Sequence, residues 1–230
     1  MADDYSAQAN PLWSVTMEQQ FWVDSWDEGG TKTSFHLRDV HEHAVALAEQ
    51  GVLDDARVLV PLCGKSVDLP FFARYAREVV GIELVPRAVG EFFADNALTP
   101  VEDPPGVFTA GNLVIRCADL FRLTAADLGP VDVVYDRASL IAFPEDMRDR
   151  YVATMTGLIP PGARYWINTL EYRPVLPTPP FSVGPEQIEA YFDAAFDIAH
   201  VRRDERPEHR MIEKLGLDHL IEHGFMLTRR

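Results

Sequence analysis

Cysteine is scarce: Cys63 and Cys117 are the two in 230 residues. Two isolated cysteines cannot build the disulfide framework of a small secreted domain. No Cys/His spacing of a zinc site is present, so no metal is expected. Long apolar runs are also missing; none reaches the ~18 residues that a membrane-spanning helix needs. The start, Met1-Ala2-Asp3-Asp4-Tyr5, lacks the basic-then-apolar order of a secretion signal, which makes the cytoplasm the expected location. Basic residues are in deficit. Lys and Arg number 21 against 36 Asp and Glu, a net charge of −15. Nucleic-acid and anionic-membrane binding run on clustered Lys and Arg, so neither partner is expected. The acidity itself reads as solubility.

What is present is an ordinary globular composition, 47% hydrophobic and 25% charged. Residues 1–15 read as a flexible N-terminal arm and residues 16–230 as a single domain. Thr16-Met17-Glu18-Gln19 fits a capping box, and the helix it opens carries Trp22 and Trp26 on one face. A second helix is expected from Asp39, with Glu42 three residues on and Gly51 as its stop. From Arg57 the chain alternates. Continuous apolar runs at 57–62, 79–84, 113–117, 131–135 and 163–170 read as strands buried on both faces. Helical spacing follows at 68–77, from Pro86 and from Pro144, and 186–195 adds another helix. Runs at 196–202 and 225–228 suggest a closing antiparallel pair. The class is α/β: a Rossmann-like, seven-stranded, doubly wound sheet with helices on both faces.

The stretch "VLVPLCGKS", Val58–Ser66, ends like a phosphate-binding P-loop. That motif needs a glycine five residues before Gly64, where this chain has Leu59. Pro61 further removes a backbone N–H that a phosphate cradle would use. Gly-x-Gly-x-x-Gly is absent as well, so a dinucleotide is not indicated. What remains is a buried strand, a turn containing Gly64, and Glu83 at the end of the next strand, 19 residues later. A carboxylate there can accept both hydroxyls of a ribose, or it can be an ordinary strand-end acid. Asp119 is placed to accept from an adenine amine and Leu120 to pack on the ring; an ordinary loop Asp is the alternative. An adenosine ligand without phosphates fits this set, and S-adenosyl-L-methionine is such a ligand.

Several segments resemble the thiopurine S-methyltransferase family: "FWVDSW" (21–26), "SFH" (34–36), "RVLVPLCGKSVDL" (57–69), "VVGIEL" (79–84), "VDVVYDRASLIAF" (131–143) and "GLDHLIEHGFMLTRR" (216–230). The resemblance covers nearly the whole chain after residue 15. It implies a monomeric, Rossmann-like enzyme that moves a methyl group from S-adenosyl-L-methionine to the sulfur of a small-molecule thiol. By position it implies cofactor contacts at Trp22, Leu62, Glu83 and Arg137. Asp119 and Leu120 match the pair beside the adenine, and Trp26 belongs to the same tryptophan-bearing segment. Phe35 matches the aromatic lining of the acceptor pocket. Two departures stand out. The stretch "WDEGGTKTSF", 26–35, is about two residues longer than in mammalian members, and a substrate-side Arg of those members aligns with Met211, so that the contact is either missing or shifted by one to Arg210.

The physical roles are consistent with these positions. A Trp face attracts the cationic sulfonium, worth ~1–2 kcal/mol when desolvated. Gly64 allows close approach to the cofactor's methionine end. Arg137 can bind a carboxylate bidentately or favour a thiolate. Asp24, His36 and Asp136 are candidate bases, Arg210 a candidate acceptor contact, and Lys65 a structural or weakly electrostatic residue. The Pro-rich "YRPVLPTPPF", 172–181, reads as an extended lid. Methylation of halide or selenium/tellurium species, and a non-catalytic adenosine-binding regulator, stand as alternative functions. Calorimetry separates the nucleotide classes: S-adenosylhomocysteine is expected to bind, ATP and NAD are not. Tight ATP binding without S-adenosylhomocysteine would sink the adenosine reading.

Overall fold

The computed structural model describes residues 20–26, 28 and 39–230. The arm 1–15, the Thr16 capping box, Phe35 and His36 lie outside these. Among the described residues the chain forms one nine-stranded sheet in the order β3-β4-β5-β2-β1-β6-β7-β9-β8. The strands are β1 (Arg57–Val60), β2 (Glu78–Glu83), β3 (Val101–Glu102), β4 (Val107–Ala110), β5 (Leu113–Cys117), β6 (Val133–Arg137), β7 (Arg164–Arg173), β8 (Phe196–Glu205) and β9 (His219–Arg229). The helices are α1 (residues 20–26), α2 (Glu42–Glu49), α3 (Asp68–Phe72), α4 (Pro86–Asp95), α5 (Ala125–Leu128), α6 (Glu145–Leu158), α7 (Pro185–Phe192) and α8 (Arg210–Leu215).

The five inner strands β5, β2, β1, β6 and β7 are parallel, as continuous apolar runs require. Alternation of the pleat divides the core. Val58, Val60 and Val79 face α2, α3 and α4, while Leu59, Val80 and Val134 face α6 and α7. Each fully buried Leu, Ile or Phe in these layers contributes ~1.5–3 kcal/mol. The closing pair is real: β9 runs antiparallel between β7 and β8. Its Gly224 is required, because a Cβ there would sit 2.6 Å from the Trp166 indole.

Three expectations need correction. The sheet has nine strands, not seven, since β3 and β4 add an antiparallel hairpin beyond β5. β9 begins at His219 rather than near 225; its Glu222 and His223 are buried because each has hydrogen-bond partners. The second helix starts after His41, not at Asp39, because the His41 ring Nδ1 accepts from the His43 amide at 3.2 Å and caps it.

One buried carboxylate fixes the end of β6. Asp136 is 0% exposed; its Oδ2 accepts from the Tyr151 and Tyr165 hydroxyls at 2.6 and 2.8 Å, and its Oδ1 from the Ser139 amide at 2.9 Å. Burial nevertheless raises its pKa. This arrangement holds Ala138 at a left-handed φ of 75°. Asp136→Ala would strand two tyrosine hydroxyls and an amide. Urea unfolding should record a loss of at least ~3 kcal/mol; a loss below ~1 kcal/mol would show that the network carries no stability.

Candidate functional site

The topological switch point lies where the order turns from β1 to β2 on one side and to β6 on the other. Open α/β sheets bind ligands outside the carboxyl ends of such strands. Here the loops after β1, β2, β5 and β6 meet. The chain leaves β1 through Pro61 and Leu62 (φ 46°) and turns at Gly64 (φ 51°). Glu83, 6% exposed at the end of β2, holds both neighbouring turns. Its Oε2 accepts from the Gly64 amide and its Oε1 from the Val85 amide, each at 2.8 Å. Burial raises its pKa, and the hydrogen bonds from Val85 and Gly64 oppose that rise. Glu83 is therefore not a solvated strand-end acid. These backbone bonds do not use up the carboxylate's roughly four acceptor directions.

Trp26 packs on Val85 and Ala88 beside this turn, with Trp22 partly buried in the same cluster. Asp119 caps the short turn 120–122 by accepting from the Phe121 amide at 2.9 Å. Leu120 is turned into the core and only 4% exposed. Lys65 pairs with Glu91 (2.8 Å) and Asp95 (3.0 Å) of α4, and the Ser66 hydroxyl accepts from the Asp68 amide at 3.2 Å. Neither is arranged around a phosphate. A buried carboxylate with spare acceptor directions, a left-handed glycine turn and an indole wall fit an adenosyl group with a free ribose diol.

A cavity of about 570 Å³ opens on the other side of the β6 end. Arg137, Arg206, Arg210 and Lys214 bring positive charge to its lining; Phe21, Ile141, Leu170 and Met211 bring apolar surface. Arg137 is 14% exposed at the side chain, and its Nε donates to Asp68 Oδ2 at 3.1 Å. Thr178, Pro179 and Pro180 form one wall. That Pro-rich segment is tied down: Tyr172 Oη donates to the Pro180 carbonyl at 2.5 Å and the Phe181 amide to the Ile141 carbonyl at 2.7 Å.

Glu222 sits in the lining among donors. His41 Nε2 lies 3.0 Å from its Oε1, Asn168 Nδ2 donates to the same oxygen at 2.9 Å, and Arg206 Nε donates to Oε2 at 2.8 Å. His41, His43 and Glu222 place ligand-type atoms within 4.8 Å of one another, yet these bonds already occupy both oxygens of Glu222. Neither histidine in the lining has the geometry of a base. Nδ1 of His41 and of His209 accepts an amide, from His43 and Met211 respectively, which assigns the ring proton to Nε2 in the neutral form.

Two candidate bases lie outside the cavity lining. Asp24 is exposed, accepts from Gln20 Nε2 at 2.7 Å and does not line the cavity. Asp136 is fully enclosed by its tyrosines. Asp68, Asn168, Arg206 and Glu222 escaped the sequence reading, because their partners lie far away in the chain. The apolar-polar texture of "HLIEHGF", 219–225, was the available signal for Glu222.

The same fold carries known chemistry. The Burkholderia thailandensis 1,6-didemethyltoxoflavin-N1-methyltransferase, solved with bound 1,6-didemethyltoxoflavin and S-adenosylhomocysteine, superposes with a TM-score of 0.68 at 16% identity, over 100% of this chain and 95% of its own. A methyltransferase from Anabaena variabilis gives 0.66 at 16% identity, over 92% and 95%. The fold class is that of the S-adenosylmethionine-dependent methyltransferases. Sequence carries the assignment further. The thiopurine S-methyltransferase profile matches residues 17–230. A thiopurine S-methyltransferase of Photobacterium profundum is 38% identical over 217 residues, 92% of this chain and 99% of its own. That of Azotobacter vinelandii is 36% identical over 223 residues, 93% and 100%. This chain belongs to the thiopurine S-methyltransferase family and is an S-adenosylmethionine-dependent methyltransferase.

Acid should loosen the Glu222 cluster. Burial, reinforced by His41, lowers His43 from 6.5 to about 4. Burial alone would raise Glu222, but the hydrogen bond and charge of His41, with Arg206, hold it at about 2 instead of 4.5. Both groups bind fewer protons folded than unfolded, so their stability is complete above the unfolded values. It is lost as pH falls from 6.5 towards 4 for His43, and from 4.5 towards 2 for Glu222. Urea unfolding across this range should show that loss, and His43→Asn should flatten its upper part. An unchanged slope in the variant would remove His43 from the account.

Proposed function

We propose that this enzyme methylates the sulfur of a small thiol bound in the cavity as an anion. The observation that carries this reading is the excess of cationic side chains around one cavity, four against the single lining carboxylate Glu222, in a protein of net charge −15. When bound, S-adenosyl-L-methionine supplies an electrophilic methyl group on a sulfonium. On this reading Glu83 holds the ribose, Asp119 and the Leu120 backbone flank the adenine, and Trp22 and Trp26 wall the cofactor. Leu62 and Gly64 shape the loop against its methionine end.

Methyl transfer is an in-line displacement, so the residues act chiefly by alignment, which is worth ~7–11 kcal/mol in well-oriented pairs. Arg137, between the loop after β1 and the cavity, orients the acceptor. The cationic lining lowers the pKa of a thiol from its usual value of about 8.5 and draws it in as thiolate. The apolar lining excludes water from the nucleophile. No general base is needed. Glu222, at about 2, has too little proton affinity near neutral pH, and His41 and His209 present N–H groups rather than lone pairs. Arg210 and Lys214 take the side of the pocket that Met211 also lines. We further take the protein to act as a cytoplasmic monomer comprising the single domain 16–230, with Phe35 on the acceptor side.

Glu83→Ala should weaken S-adenosylhomocysteine binding at least 10-fold, about 1.4 kcal/mol, by calorimetry. A screen with labelled cofactor should give the highest turnover with thiols carrying a carboxylate, less with neutral thiols, and least with iodide or selenite. Turnover confined to iodide or selenite would move the assignment to soft inorganic anions. Cofactor binding without turnover on any acceptor would favour a regulator.

A further inference from the structure

Asp68 opens α3 directly after the cofactor loop and is 1% exposed. Both oxygens of its carboxylate are used, and for different parts of the chain. Oδ1 accepts from the His41 amide at 2.9 Å, which fixes the N-terminal end of α2 at the cavity. Oδ2 accepts from Arg137 Nε at 3.1 Å and lies 3.4 Å from the Tyr135 hydroxyl. Its own amide is held by Ser66 of the cofactor loop. A buried carboxylate so placed needs its partners, and they need it. An Nε–H bond also constrains a guanidinium more than a distant charge does: it sets the plane of the fork and the direction in which it reaches.

We propose that Asp68 is a positioning residue for methyl transfer: it sets the orientation of Arg137 toward the acceptor and registers that orientation to the cofactor loop and to α2. It touches neither reactant. The proposal rests on Arg137 facing the acceptor, as argued above. It also specifies the sign of two opposing effects. Removing the Asp68 charge leaves the cavity edge more positive, which favours an anionic acceptor. Removing its acceptors releases Arg137, which disfavours the aligned complex. Binding is therefore spared while the chemical step suffers.

Asp68→Asn supplies one acceptor oxygen where two are needed, so it must release either His41 or Arg137. Its turnover should fall at least 10-fold, with the acceptor KM changed by less than 3-fold and S-adenosylhomocysteine affinity by less than 2-fold. Asp68→Glu, which keeps both oxygens and the charge, should recover most of that turnover. In an Arg137→Gln background, Asp68→Asn should add less than 3-fold. Its full effect persisting there, or cofactor affinity and melting midpoint falling in step with turnover, would make Asp68 plain fold support and overturn the proposal. If Arg137→Gln alone leaves turnover and acceptor KM unchanged, the acceptor-side reading of Arg137 fails first and takes the proposal with it.

Discussion

The carboxyl edge of the sheet hangs on Asp136. Its carboxylate gathers one hydroxyl from α6, one from β7 and the amide of Ser139. Ser139 in turn donates its hydroxyl to the Pro61 carbonyl at 3.0 Å, in the loop after β1. The two loops that flank the switch point are therefore joined through a single buried group. Arg137 and Ala138 sit on that join, with Ala138 in a backbone region that a side chain rarely adopts. Such strain persists only where its surroundings over-determine it. The two enclosing tyrosines and Ser139 supply that determination.

The two halves of the site are built differently. The half proposed for the cofactor relies on the backbone: a left-handed turn at Gly64, amides bonded to Glu83, and a cap at Asp119. The half proposed for the acceptor relies on side chains: His41, Asn168 and Arg206 are tied by hydrogen bonds around Glu222 of β9, and α8 adds Arg210, Met211 and Lys214. Backbone geometry suits a ligand of fixed shape. A cavity of side chains suits a ligand that varies.

Much of this was legible in sequence. The parallel strands were visible because each is a short, continuous apolar run, and Glu83 was visible because it closes one of them. The hairpin β3–β4 was not: β3 is two exposed residues, Val101 and Glu102, and the short run Val107–Ala110 is parted from β5 by Gly111 and Asn112 alone, so it does not stand out as a strand of its own. The first half of β9 was hidden for the opposite reason. Glu222 and His223 look like solvent-facing residues, and only partners brought from residues 41, 168, 171 and 206 make their burial tolerable. Asp68 stood in a motif that was quoted, yet nothing local announces that its two oxygens reach His41 and Arg137. Pairing over such separations is a property of the topology.

The half proposed for the cofactor draws on an uninterrupted stretch from β1 to the turn after β5, with α1 beside it, whereas the cavity lining is scattered from Phe21 to Glu222. That lining includes none of Gly64, Glu83 and Val85. Over evolutionary time, acceptor preference in such a protein can drift while the grip on the methyl donor stays constant. Arg137 is where the two histories must agree.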